Sequence, residues 1–215
     1  MQAINRLNVN LLDRAEQELR FASMTVAMKE TGIQAALIRD NANIFYLTGR
    51  VFRGYVYIDT RLEEMHYFVR RPNHLSGTAS LHYIRKPEEI TAELSKAGLP
   101  APAEVALELD AIPFSEAVRL ARAFGMERPA SNISPVIRAC RAVKTEYEQN
   151  LLRDSGRRQT LVYKRIPQLY SEGMTDIELQ IEIERALRLE GCLGQFRISG
   201  GEMELFMGNV LTGEN

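Results

Sequence analysis

The sequence has no tryptophan, two cysteines and three histidines in 215 residues. Cys140 and Cys192 are far apart and neither belongs to a CxxC pair. That excludes a disulfide framework or a cysteine-based zinc site, and both read as reduced, structural thiols. Neither charge is in excess: 27 basic and 28 acidic side chains leave a net charge of −1. Composition therefore gives no footprint for nucleic acid or an anionic membrane. No apolar run approaches the ~20 residues of a membrane span. The start, MQAINRLNVNLLDRAEQ, lacks the apolar stretch of a signal peptide, so the expected compartment is the cytoplasm. GxGxxG, the P-loop, HExxH and GxSxG are missing too, which removes the commonest cofactor and nucleophile signatures.

What is present is ordinary globular composition, 45% hydrophobic and 26% charged, enough for one large domain or two modest ones. A helix is predicted over about 10–29, with Leu12, Ala15, Leu19, Ala22 and Val26 as its apolar stripe and Gly32 just past its end. IQAALI (33–38), YVYID (55–59), MHYFVR (65–70), LHYIR (81–85) and EVALELD (104–110) read as strands. Helices over about 87–97 and 113–125 are interspersed among them, which indicates an α/β domain with a central sheet. Pro129 and Pro135 frame a short segment, and a long helix then runs from about Lys144 to Ile166, stopped by Pro167. The next helix opens on a capping box, Thr175 with Glu178, and ends near Gly191. Ile177, Leu179, Ile181, Ile183, Ala186 and Leu187 wrap widely around it, the pattern of a core helix. The boundary falls near residue 143, giving domains 1–143 and 144–215.

Few residues offer chemistry. Glu108 and Asp110 alternate along one strand, as paired carboxylates of an RNase-H-like nuclease do. With no basic groove beside them, Asp110 is expected to cap the following turn and Glu108 to be solvated. His66, His74 and His82 lack the i,i+4 spacing of a helical metal site and are expected to face solvent or be hydrogen-bonded. Arg153, Arg157, Arg158, Lys164 and Arg165 read as a solvated helix face. NIFYLTGRVFR (43–53) stands out more. An apolar run breaks at Gly49 and shows Arg50, Phe52 and Arg53 before the chain turns strand-like again. Solvated turns favour Asn, Asp or Ser. The plain reading is an exposed β-connection whose arginines lie over neighbouring side chains.

Three stretches together resemble the creatinase/prolidase/aminopeptidase P family of metallopeptidases. NIFYLTG (43–49) is similar to the family's N-x-x-Y-L-[ST]-G run. CRAVKTEYE (140–148) is similar to its L-R-x-I-K-[ST]-x-x-E run at the domain junction: Arg141, Lys144 and Glu148 match, and Cys140 replaces leucine. EGMTDIELQIEIERALRLEG (172–191) is similar to the G-M-T-E-x-E helix that opens the catalytic domain. The resemblance implies an α/β fold: an RNase-H-like mixed sheet flanked by helices over 1–143, then the first helices of an incomplete pita-bread α+β domain over 144–215. It also implies an Xaa-Pro aminopeptidase or dipeptidase, in which two divalent metals, manganese or cobalt, serve hydrolysis of the bond before proline.

In the family the five metal ligands lie beyond the matched segments. This chain is therefore expected to look truncated, to hold no metal and no catalytic residue, and to be inactive alone. Its expected roles are substrate gating and homodimerisation in a parent acting on small peptides. The loop after the first motif faces the active-site mouth in relatives. That makes Arg50, Phe52 and Arg53 substrate-binding candidates, since guanidinium forks suit carboxylates. Peptidase relatives carry a Gly-His step just ahead of V-L-x-G-E-N, where this chain has Gly208–Asn209. Asparagine hydrogen-bonds but shuttles no proton near neutral pH. Asn209 joins the candidates and points to an alternative, a non-catalytic peptide- or protein-binding module of the same superfamily, as in a histone-chaperone relative. Creatinase-like hydrolysis without metal is a second alternative.

Overall fold

The computed structural model describes residues 12–71, 80–99, 101–194 and 210. The chain divides into two compact units, Met1–Val143 and Lys144–Asn215. In the first unit β1 (Ala35–Ile38), β2 (Arg53–Asp59), β3 (His66–Arg71), β4 (Leu81–Tyr83) and β5 (Ala106–Leu107) form one sheet in the order β4-β3-β2-β1-β5. The β1–β2 and β2–β3 pairs are antiparallel, whereas β1–β5 and β3–β4 are parallel. The helices are α1 (Arg14–Glu30), α2 (Asn41–Thr48), α3 (Ile90–Lys96), α4 (Phe114–Ala123) and α5 (Ser134–Ala142).

Alternate strand residues point to opposite faces of a sheet, and here both faces are covered. On one side Val56, Ile58, Tyr67 and Val69 pack with Met24 and Met28 of α1, Ile44 and Leu47 of α2, and Val136 and Ile137 of α5. On the other, Tyr55, Tyr57 and Phe68 pack with Ile90 and Leu94 of α3 and Ala117 and Leu120 of α4. The result is the expected α/β class, a mixed five-stranded sheet flanked by helices.

Several local expectations change. Of the expected stripe, Leu12 precedes α1 and is buried, but the residues within α1 face outward: Leu19 and Val26 are each 54% exposed, while Glu16, Arg20, Met24 and Met28 are buried. The N-terminal half of the inward face is polar, at Glu16 and Arg20, because it serves another helix end, described below. The segment 41–48 is a helix rather than part of a β-connection, with Asp40 as N-cap and Gly49 in the left-handed conformation at its C-terminus. The strand expected over 104–110 is only two residues long, because Leu107 exchanges backbone hydrogen bonds with the 131–133 segment and Leu109 N–H donates to Asn132 Oδ1. The stretch framed by Pro129 and Pro135 leads into α5, which begins at Ser134 with Pro135 in its first turn, where a missing N–H costs nothing.

The second unit holds α6 (Glu146–Tyr163), α7 (Ile166–Leu169) and α8 (Asp176–Leu189). Capping boxes open α6, through Thr145 and Glu148, and α8, through Thr175 and Glu178. Pro167 begins α7 rather than ending the helix before it, since proline suits a first turn. In α8 only Ala186 is buried, while Ile177 and Ile181 are 67% and 56% exposed, so it is not enclosed as a core helix would be. Arg157 and Arg158 both pair with Asp154 on the exposed face of α6. Among the described residues no helix is long and apolar enough to cross a membrane.

Candidate functional site

The loop 50–53 is set by what holds its two stems. Upstream, α2 is short and both of its ends need partners for backbone groups left over by the helix. At its N-terminus Asp40 accepts from Ala42 N (2.9 Å) and Asn43 N (3.3 Å). The Glu108 carboxylate accepts from Arg39 N (2.5 Å), Asp40 N (2.7 Å) and Asn43 Nδ2 (2.5 Å). Glu108 is therefore not solvated; it is 1% exposed. It lies on the same face as Ala106, and that face is covered by helices. Burial raises its pKa, and the three donors pull back against that rise. Asn43 Oδ1 in turn accepts from Arg141 Nη1 at 2.8 Å, so the first residue of the NIFYLTG run and the arginine of the CRAVK run are joined.

At the other end of α2, Gln17 Nε2 donates to Thr48 O at 3.2 Å and Arg20 Nη1 donates to Tyr46 O. The Arg20 guanidinium also lies 4.5 Å from the centre of the Tyr46 ring and pairs with Glu16 at 2.7 Å. These contacts are why the first half of α1 buries polar side chains, whereas its second half buries Met24 and Met28. Thr48, itself buried, donates from Oγ1 to Ile44 O (2.7 Å) and accepts from Arg50 N (3.1 Å), which bends the chain out of the helix. Gly49 has φ of 66°, and a Cβ there would sit 2.4 Å from Leu12 Cβ, so only glycine fits.

Beyond Gly49 the candidates separate. Arg50 is half-buried and close enough to the Tyr67 phenol to oppose the rise in its pKa that burial causes. Val51 is 56% exposed. Phe52 turns inward: it is 4% exposed and its ring lies 6.2 Å from that of Tyr67 in the core. Its place is that of an anchor for the loop, because a buried ring presents no surface to a ligand. Arg53 opens β2 on the exposed side and pairs in register with Arg71, also exposed. Arg71 is not marked out in the sequence, because its link to Arg53 exists only through strand pairing. Asn209 and His74 lie outside the described residues.

The other candidate groups serve the fold. Asp110 accepts from Asn132 Nδ2 (2.8 Å) and pairs with Arg138 (2.6 Å), so it does not converge with Glu108. His66 Nδ1 and His82 Nε2 lie 3.2 Å apart, and His82 stacks on Phe68 with centroids 4.9 Å apart. Among the described residues no group of three or more His, Cys, Asp or Glu is placed to hold a metal. The two metals implied by the resemblance have no fitting donor set among the described residues.

With that geometry in place, the comparisons define the class. The model of the creatinase/prolidase N-terminal domain matches residues 20–143, and the chain belongs to that family. Its fold is that of solved Xaa-Pro peptidases. The Xaa-Pro dipeptidase from Bacillus anthracis superposes with a TM-score of 0.67 at 17% identity, covering 82% of this chain and 50% of that one. The dipeptidase PepE from Mycobacterium ulcerans gives 0.64 at 23% identity, covering 83% and 51%. The X-Pro aminopeptidase from Thermotoga maritima MSB8 gives 0.63 at 18% identity, covering 78% and 50%. The chain thus spans about half the length of these solved relatives. A search among curated proteins finds no match.

Proposed function

We propose that this chain is the substrate-facing, N-terminal portion of a cytoplasmic Xaa-Pro aminopeptidase or dipeptidase. Its loop 50–53 grips the carboxylate of a small peptide, and the manganese- or cobalt-dependent step is not carried by the described residues. The loop carries this reading: Phe52 is locked into the core, both stems are pinned, and Arg53 is exposed at the start of β2. An arginine on a pinned backbone loses less freedom on binding than one on a floppy turn. The chain also works as a homodimer, a reading supported by the exposed apolar face of α1 at Leu19 and Val26.

The test uses residues 1–215 with manganese and the dipeptide Ala-Pro. The expected outcome is binding without turnover, weakened roughly tenfold by Arg53→Gln, the loss of one charge-assisted hydrogen bond. Turnover by this chain, or binding indifferent to Arg53, overturns the proposal. The second reading, a non-catalytic binding module, rests on Asn209 at the Gly208–Asn209 step. It predicts that long peptides bind as tightly as Ala-Pro, whereas the peptidase reading predicts that the dipeptide is preferred.

A further inference from the structure

We propose that Arg71 completes the grip of Arg53, the two guanidinium groups forming a clamp for the free C-terminal carboxylate of a peptide. The inference rests on the proposed reading of the loop and extends it to a residue eighteen positions further along the chain.

Arg53, the first residue of β2, and Arg71, the last of β3, are direct partners in the antiparallel ladder. The next pair is Gly54 with Val69, so Arg70 is skipped and the strands carry a β-bulge at this point. The bulge is written into the sequence: a Cβ on residue 54 would lie 2.1 Å from Phe68 O, so Gly54 is required for β2 to approach β3 here. Bulges re-aim side chains at the ends of strand pairs and are frequent beside binding sites. Arg70 has its own partner, donating from Nε to Arg85 O at 3.0 Å.

Directly opposed residues in an antiparallel pair hold their Cβ atoms about 4.5–5.5 Å apart, where like charges destabilise the pairing. A fold under no other demand would place a carboxylate at one of the two positions. Among the described residues neither arginine has a carboxylate partner. The other residues of this unit, 1–11, 72–79 and 100, contain no Asp or Glu. Arg50 adds a third cation two residues after the helix end, and Val51 and Phe45, each 56% exposed, supply apolar surface nearby in sequence. Two guanidinium groups across a strand pair suit an anion with two acceptor oxygens, which a carboxylate and a phosphate both provide. The apolar neighbours and the family of the fold favour the carboxylate of a peptide.

The experiment follows the arginine Nε–H signals of the 215-residue chain by NMR during titration with Ala-Pro, with its C-terminal amide and with inorganic phosphate. The expected result is that Ala-Pro shifts the Arg53 and Arg71 signals, and the amide and phosphate do not. Arg71→Gln weakens Ala-Pro binding roughly tenfold. Arg71→Glu abolishes binding yet raises the thermal midpoint by about 1–4 °C, because an opposite-charge pair replaces a like-charge one. Unchanged binding in Arg71→Gln, with loss in Arg53→Gln, overturns the clamp and leaves the loop reading standing. Shifts at neither arginine overturn both. Equal binding of phosphate overturns the peptide assignment in favour of a general anion site. A lowered midpoint in Arg71→Glu assigns Arg71 a structural role instead and overturns the clamp.

Discussion

Glu108 carries the upstream stem of the loop, and it does so as a buried acceptor for three donors around the start of α2. Glu108→Ala leaves two backbone N–H groups and the Asn43 amide unsatisfied in a buried site, at a cost of about 2–4 kcal/mol. Glu108→Gln keeps an acceptor oxygen and costs less. Urea denaturation of the two variants checks the order, and equal losses would show that volume rather than hydrogen bonding matters at this position. The pKa of Glu108 is raised above its ordinary 4.5 by burial. Its contribution to stability is therefore fullest below that value and declines as pH rises through the folded-state pKa. Asn43 transmits the same hold to Arg141, so these motif residues tie the start of α2 to Glu108 and to the end of α5.

At the scale of elements, β4 is a three-residue edge strand joined to β3 beside a histidine pair. One imidazole N–H donated between His66 Nδ1 and His82 Nε2 requires at least one ring to be neutral. Burial lowers both pKa values below 6.5; His82 lowers that of His66 further, while Glu64 beside His66 and Glu93 beside His82 oppose the fall. Tyr57 pairs with His66 on the neighbouring strand, and Ser80, just ahead of β4, donates to Glu64. A depressed histidine pKa means that the unfolded chain binds more protons. Stability is therefore full above pH 6.5 and falls as pH drops below it toward the lowered folded-state values. Amide exchange at Ile84, whose N–H donates to Val69 O, should accelerate between pH 7.5 and pH 5 beyond any effect of pH on chemical exchange itself. His82→Gln should weaken that dependence, and an unchanged pH profile in the variant would separate the pair from the edge strand.

At the scale of the molecule, each unit exposes apolar surface. On the first it is the face of α1 marked by Leu19 and Val26; on the second it includes Ile177, Ile181 and Leu193. Exposed large apolar side chains on one helix face are candidates for an interaction site. Leu19→Asp with Val26→Asp alters exposed positions, so the fold should change by no more than about 0.5 kcal/mol for each. In the proposed homodimer this face is the contact, so the parent chain should associate in sedimentation and the double variant should remain a monomer at the same concentration. A dimer that survives both substitutions would move the interface away from α1.

The sequence by itself determined the elements that depend on local chemistry. The capping box of Thr175 and Glu178, the strand segments rich in β-branched and aromatic residues, and the glycine ending α1 could be read from neighbours a few residues apart. The run NIFYLTG together with CRAVK pointed to the creatinase/prolidase fold. Burial was decided only by the tertiary structure, because it depends on what lies across the sheet. Period-two alternation placed Glu108 opposite Leu107 and Leu109, yet it did not reveal that helices cover both faces. The stripe of α1 failed for a related reason: the end of α2 needs donors, so Gln17 and Arg20 turn inward and Leu19 and Val26 turn out. The loop was visible as an unusual pair of arginines, but tertiary packing set Phe52 into the core and strand register set Arg71 opposite Arg53.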